Sequence, residues 1–229
     1  MTSSHTEGSV EVTWIGHATV KLEDSDGFTV YIDPWTDLKD YSDEADVIVV
    51  THDHFDHFDK KAIQQLKKRD TILVCTEDCA EDAPAEMTTK TLEEGRSVKA
   101  HGKRFRGVPA YNDERKRENG EPFHPRGQCF GVIFELDGKK FYHASDTDHI
   151  PEMKNLKDEK INLAFIPVGG TYTMDQVDAI DAVKDIDPDR VVPIHFGFVE
   201  GTSADTEKFG DRVDAATKAK AVILDPESY

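Results

Sequence analysis

Apolar positions along the chain fall first into alternation and then into unbroken runs, and the switch marks a change of element. After a polar stretch over residues 1–9 that is expected to fray, Val10, Val12 and Trp14 alternate with polar residues, which predicts a half-buried strand. Ala18 to Glu23 and Phe28 to Ile32 predict two more, joined by the turn-rich Asp24-Ser25-Asp26-Gly27, so the chain opens as a meander. Val47 to Val50 is a continuous apolar run, as in a strand covered on both faces. A helix follows near Asp59 to Arg69, with Ala62, Ile63 and Leu66 at helical spacing and Asp56 or Asp59 as its cap. The run Ile72 to Cys75 then returns to the sheet.

The second half repeats this order. Ser97 to Ala100 and Phe105 to Pro109 predict weaker strands, and Cys129 to Leu136, Asp137-Gly138 and Lys140 to His143 predict a hairpin. Leu163 to Pro167 is followed by a helix from about Met174 to Ile186, with Thr173 and Gln176 as a capping box and Asp187-Pro188 as its stop. Val191 to Ile194, a helix carrying Phe209, Val213 and Ala216, and a strand Val222 to Leu224 complete the chain. Both halves run as strands followed by strand and helix in alternation, which predicts an α/β protein with two mixed sheets packed face to face and helices outside, an αββα sandwich. We expect one domain over residues 1–229, with no sequence repeat to prove a duplication.

Charge adds a second layer. The chain has 46 acidic and 28 basic residues, a formal charge of −18, and its acids are dispersed in blocks such as Glu23-Asp24-Ser25-Asp26, Asp43-Glu44-Ala45-Asp46 and Glu77-Asp78-Cys79-Ala80-Glu81-Asp82. Adaptation to multimolar salt predicts this dispersal, and a solvated acidic surface of ordinary kind is the alternative. The lack of a long basic stripe argues against nucleic acid as partner. Three cysteines are too few for a disulfide scaffold, the first nine residues lack the pattern of a signal peptide, and no apolar run reaches a membrane span, so a reducing cytoplasm is the expected location. An oligomer is left open.

The chemistry gathers at strand ends. Directly after the run Val47 to Val50 come His52, His54, Asp56 and His57, three imidazoles and a carboxylate within six residues. Residues two apart in extended backbone point the same way, so His52 and His54 can converge on one ion while Asp56 and His57, at the helix start, face a second. Asp33, Asp146 and His195 also close strands, where ligand sites of such folds collect. Asp33 is either a partner that orients an imidazole or a turn residue before Pro34. His17 is either a hydrogen-bond donor to the site or a satisfied core histidine. His143 is expected to be structural, His149 to reach the pocket rim, and His5 to lie outside the chemistry.

Thr51-His52-Asp53-His54-Phe55-Asp56-His57, then Ser145-Asp146-Thr147, then His195, in that order and over nearly the whole length, resemble the metallo-β-lactamase fold superfamily. Trp14-Ile15-Gly16-His17-Ala18, His124-Pro125-Arg126-Gly127, Pro167 to Met174 and Pro193-Ile194-His195-Phe196-Gly197 look like its metal-dependent hydrolase branch, which includes ascorbate-6-phosphate lactonase. The chain is more distantly similar to the phospholipase D that releases N-acylethanolamines. The resemblance implies two divalent ions, zinc or manganese. His52, His54 and a third histidine would hold one, Asp56, His57 and His195 the other, and Asp146 would bridge. We take His124 as the third histidine, with His101 as its competitor. A hydroxide bridging the ions would attack a small anionic ester, lactone or phosphodiester, with Asp56 and Asp146 in the catalytic centre and Tyr172 as a further donor to the oxyanion. Arg126 would meet an anionic group on the substrate, and so more weakly would Arg115, Lys116 and Arg117, for which exposed residues that simply balance surface acid are the better reading. The competing readings are a phosphodiesterase or nuclease on the same ions and a metal-dependent sensor or binding module without turnover.

Overall fold

The computed structural model of the chain describes residues 3–227. The first sheet holds β1 (Ser4–Glu7), β2 (Val10–Gly16), β3 (Thr19–Glu23), β4 (Thr29–Ile32), β5 (Ala45–Val50), β6 (Lys67–Cys75) and β7 (Thr88–Thr91), in that spatial order. The second holds β8 (Ser97–Ala100), β9 (Lys103–Ala110), β10 (Cys129–Leu136), β11 (Lys139–His143), β12 (Leu163–Pro167), β13 (Arg190–Ile194) and β14 (Lys220–Ala221), again as sequence neighbours. Each sheet starts as an antiparallel meander and turns parallel at its fourth strand, where β4 meets β5 and β11 meets β12.

Side-chain alternation fixes the layers. Val47 and Val49 of β5 point into the shared core with Val10, Val12, Trp14 and, from the other sheet, Phe105, Phe130 and Phe165. Ile48 and Val50 point the other way, onto Ala62, Ile63 and Leu66 of α1 (Lys60–Leu66). That double burial is why this strand reads as an unbroken apolar run. After α2 (Glu77–Glu81), two longer helices, α3 (Gln176–Ile186) and α4 (Thr206–Ala216), cover the outer face of the second sheet with Ala179, Val183, Phe209 and Val213. The αββα sandwich expected from the pattern is the fold.

Several local expectations change. Residues 4–7 are a strand rather than frayed, because β1 pairs with β2 through its backbone and buried Glu7 accepts from Arg190 Nη1 at 2.9 Å; Met1 and Thr2 lie outside the described residues. The helix α1 starts at Lys60 and ends at Leu66, so Asp56 and His57 stay on the loop, and Lys67 to Asp70 already belong to β6. Asp59 is the cap, accepting from the backbone of Lys61 and Ala62, which leaves Asp56 free for other work. Asp175, accepting from Val177 and Asp178, caps α3 in place of the Thr173 and Gln176 box, and Thr173 is wholly buried beside the site loop. The last strand lies at Lys220–Ala221, although Val222 still donates to the Val191 carbonyl.

The acidic blocks carry structure of their own. Glu77 and Asp78 form the first turn of α2, where a helix favours negative charge, and Asp24 is buried, accepting from Lys103 at 2.7 Å. Asp46 accepts from the backbone of Thr29 at 2.8 Å and pairs with Lys68.

Candidate metal centre

Loops at one end of the sandwich carry every strand-end residue singled out above. His17 sits in the β2–β3 turn, Asp33 follows β4, His52 to His57 follow β5, His124 lies between β9 and β10, Asp146 follows β11, and His195 follows β13. His17, Asp33, Ser145 and His195 all have left-handed backbone, with φ of 47°, 47°, 60° and 59°. Such a conformation costs a residue with a Cβ roughly 1–2 kcal/mol, and here it turns the chain sharply out of each strand toward a common centre. Gly169 meets the same crowding from the other side: a Cβ there would lie 2.2 Å from the His195 carbonyl oxygen.

After β5 the chain does not stay extended. The His54 carbonyl accepts from the backbone of His57 and Phe58, forming a turn that swings Asp56 and His57 around behind His52. Three groups of side chains result, each with ligand atoms within 4.8 Å of one another: His52, His54 and His124; His17, Asp56, His57 and His195; and, joining the first two, His52, His57 and Asp146. Asp146 stands between the first two. Its Oδ2 is 3.2 Å from His124 Nε2 and 2.9 Å from His195 Nε2, and its Oδ1 is 3.5 Å from His57 Nε2. The structure therefore brings together all seven residues expected for a dinuclear centre. His101 is exposed, with its Nε2 2.9 Å from the Asp70 carbonyl oxygen, and takes no part.

His17 is the eighth member and resolves as a partner of the site. It is fully buried, and its Nε2 lies 2.9 Å from Asp56 Oδ2. Its carbonyl accepts from the backbone of His195 at 2.8 Å, so one turn ties the two sheets together directly under the centre. Asp33 resolves as an orienting group. It accepts from the backbone and hydroxyl of Thr51 and lies 2.8 Å from His57 Nδ1, which turns His57 Nε2 toward Asp146. Sequence reasoning passed over Asn112, whose Oδ1 accepts from the His124 backbone and lies 2.7 Å from His124 Nδ1. Nothing in the chain singles out an asparagine twelve residues away until the loop is folded.

Burial and charge set the protonation. Burial, reinforced by the charge of His195, brings the His17 imidazole down to about 4. Burial likewise holds His52 well below the usual histidine range and lowers His54. For His57 burial opposes the proton, but Asp146, Asp33 and Asp56 outweigh it and raise the imidazole well above its ordinary value. Burial also opposes charge on Asp146, and His195, His57 and His124 more than offset it, so that carboxyl is held well below the carboxylate range.

The donor set fits divalent cations. His52 Nε2, His57 Nε2, His195 Nε2 and Asp146 Oδ1 are buried without a hydrogen-bond partner, although they converge. Each such atom costs on the order of 1–3 kcal/mol if left unsatisfied. A bound divalent cation would satisfy them, and imidazole nitrogens with carboxylate oxygens are suited to hold one.

A cavity of about 290 Å³ opens over the centre, lined by His54, Phe55, Asp56, Arg117, Phe123, His124, Asp146, Tyr172, His195 and Val199. Tyr172 is thus on the wall as expected, its ring edge-on to Phe123. Arg126 is not. Its guanidinium pairs with Glu94 at 2.6 Å and Glu152 at 2.8 Å, away from the cavity. His149 pairs with Asp185 of α3 at 2.8 Å rather than reaching the rim, and His143 is buried against the Ala18 carbonyl, a structural role. Among the described residues no helix is long and apolar enough to cross a membrane.

The model of the β-lactamase superfamily domain matches residues 11–195. A UPF0173 metal-dependent hydrolase of Thermococcus onnurineus is 32% identical, over 95% of this chain and 97% of its own length. Among solved structures, a Parabacteroides distasonis protein assigned to the metal-dependent hydrolases superposes with a TM-score of 0.83 at 31% identity, covering 99% of both chains. Igni18, a metallo hydrolase of the archaeon Ignicoccus hospitalis, gives 0.77 at 26% identity, over 95% of both. The chain belongs to the metal-dependent hydrolases of the metallo-β-lactamase superfamily.

Proposed function

We propose that this chain hydrolyses a small anionic ester, lactone or phosphodiester with the aid of two divalent ions, zinc or manganese. His52, His54 and His124 would hold one ion, Asp56, His57 and His195 the other, and Asp146 would serve both. The observation that carries this reading is the convergence of buried, unpartnered imidazole nitrogens and a carboxylate oxygen on the floor of an open cavity. When bound, the ions supply an acidified water and a Lewis acid for the carbonyl or phosphoryl oxygen.

The chain's own residues do the rest. Asp56, kept ionised by His57 and His17 against the cost of burial, lies on the cavity wall and can accept a hydrogen bond from the attacking water, fixing its orientation. His17 holds that carboxylate in place from behind. Tyr172 stands on the wall with its hydroxyl donating to the Glu200 carbonyl at a long 3.4 Å, and would have to leave that bond to donate to the oxygen on which charge develops. Phe55, Phe123 and Val199 supply apolar wall that favours a compact organic substrate over a polymer.

The test is elemental analysis of gently purified protein together with turnover of a panel of lactones, phosphodiesters and aryl esters. Two equivalents of metal and hydrolysis of at least one class are expected. Less than one equivalent of any transition metal, or a loaded protein inert to the whole panel, would defeat the reading.

A further inference from the structure

The loop between β9 and β10 carries three arginines, and their partners set one apart. Arg115 is neutralised by Asp148 at 2.9 Å and Asp178 at 2.5 Å, and its Nε donates to the Gly170 carbonyl. Arg126 is neutralised by Glu94 and Glu152 and lies over the ring of Tyr111. Arg117 has no carboxylate partner among the described residues. Its guanidinium carbon lies 5.1 Å from the centre of the Phe123 ring, and its Nη2 donates to the Phe123 carbonyl at a long 3.3 Å.

The backbone holds Arg117 in place. Its N–H donates to the Glu121 carbonyl at 2.7 Å, its carbonyl accepts from Gly120 at 2.9 Å, and Lys116 bridges Pro122, so it sits in the arm of a tight hairpin. Arg117 lines the cavity over the centre and also an adjoining one of about 440 Å³ that shares His54 and Phe123. Histidines aside, it is the one cationic residue on either wall. In a chain of net charge −18, and with Asp53 and Glu121 on the adjoining wall, Arg117 is the fixed positive charge there that an anionic molecule would meet.

We propose that Arg117 binds a carboxylate or phosphate carried by the substrate away from the bond that breaks, with the intervening stem lying against Phe123. This inference rests on the hydrolytic reading of the centre and adds which end of the molecule must be charged and which residue reads it. A guanidinium held near an aromatic ring keeps forked N–H donors free for an oxyanion, here at an exposed position on the rim.

The experiment uses metal-loaded wild type, Arg117→Gln and Arg117→Lys, with metal content and circular dichroism matched. The substrates are mono(4-nitrophenyl) adipate, which ends in a carboxylate, and 4-nitrophenyl hexanoate, its uncharged counterpart of equal length. Wild type should favour the adipate in kcat/KM, and Arg117→Gln should shrink that preference about tenfold through the KM of the adipate, with Arg117→Lys between them. No preference in wild type, or the same factor lost on both esters, would overturn the assignment. If neither ester is turned over, the full panel of lactones, phosphodiesters and aryl esters decides about hydrolysis, and titration calorimetry with phenylacetate and with phenyl phosphate still decides about Arg117. Binding of either anion about tenfold weaker in Arg117→Gln supports the role and shows which headgroup is read. Equal binding by both proteins, or none by wild type, overturns it.

Discussion

The two groups of candidate ligands are built to different standards of rigidity. His17, Asp56, His57 and His195 are all buried, cross-linked through the His195 to His17 backbone bond, and backed by Asp33, itself fixed by Thr51. Of His52, His54 and His124, the first and last are equally buried and only His54 is partly exposed. His54 is half-buried on the turn, His124 hangs on the long loop before β10, and the two rings lean on each other with Nε2 and Nδ1 3.2 Å apart. Asn112 is the main brace on that side. The first group is thus tied to the sandwich by more cross-links, while both present side chains to the cavity. We expect the better-braced inner group, His17, Asp56, His57 and His195, to retain an ion more tightly than the outer group, His52, His54 and His124.

The largest effect should come from removing what the groups share. Asp146→Ala is expected to lower hydrolysis about a thousandfold or more, because both groups lose a carboxylate that sits between their nitrogens. His54→Ala, which touches only the outer group, should also abolish turnover. Both positions lie on loops at strand ends, so circular dichroism should stay close to wild type. A variant that unfolds would make the residue structural and erase the contrast between groups.

Metal occupancy should separate the groups next. His124→Ala is expected to weaken the outer site while leaving the inner one filled. Asp33→Asn, which removes the carboxylate behind His57, should instead cost the inner site roughly 10- to 100-fold in affinity. Metal competition with a chelator, followed by elemental analysis of each variant, reads this directly. Equal loss from both sites in either variant would mean that the groups do not load independently.

These contrasts were only partly readable in the chain. Cys129–Leu136 and Leu163–Pro167 appear in the structure with the bounds that the apolar pattern predicted, since strands buried on both faces leave continuous apolar runs. The run of His52, His54, Asp56 and His57 was equally plain because its residues are local. What is assembled across distance was not. His17 meets Asp56 from 39 residues away, and no periodicity distinguishes it from a core histidine. The arginines show the same limit: the sequence favours Arg126 over Arg117, and only the positions of Glu94 and Glu152 show that Arg126 is already neutralised. Short polar elements such as β1 and α2 were missed because their stability comes from backbone pairing, caps and dipole rather than from apolar periodicity.

The smallest expected effect is on the acid stability of metal-free protein, and it sharpens the comparison from the protonation side. In the inner group His17 is held down at about 4 while His57 is raised, so these two respond to pH in opposite senses. For His17, the unfolded chain binds a proton near the ordinary 6.5 and the folded one only near 4. Between those values the unfolded state carries more protons, so stability is complete above the upper value and is lost as pH falls through the window. The shift corresponds to roughly 3 kcal/mol at most, or on the order of 5–10 °C in Tm for a chain of this size. His52 and His54, both lowered, add to the loss, whereas His57 contributes stability at low pH that fades as pH rises through its elevated value. Metal-free wild type should therefore melt progressively lower from pH 7 to pH 4. His17→Gln, which keeps a donor for Asp56 but cannot titrate, should melt with a shallower slope across the same range. Parallel slopes for the two proteins in calorimetric scans would show that His17 does not enter the folded state as a buried neutral imidazole, and would remove the inner group's claim to be held ready for metal.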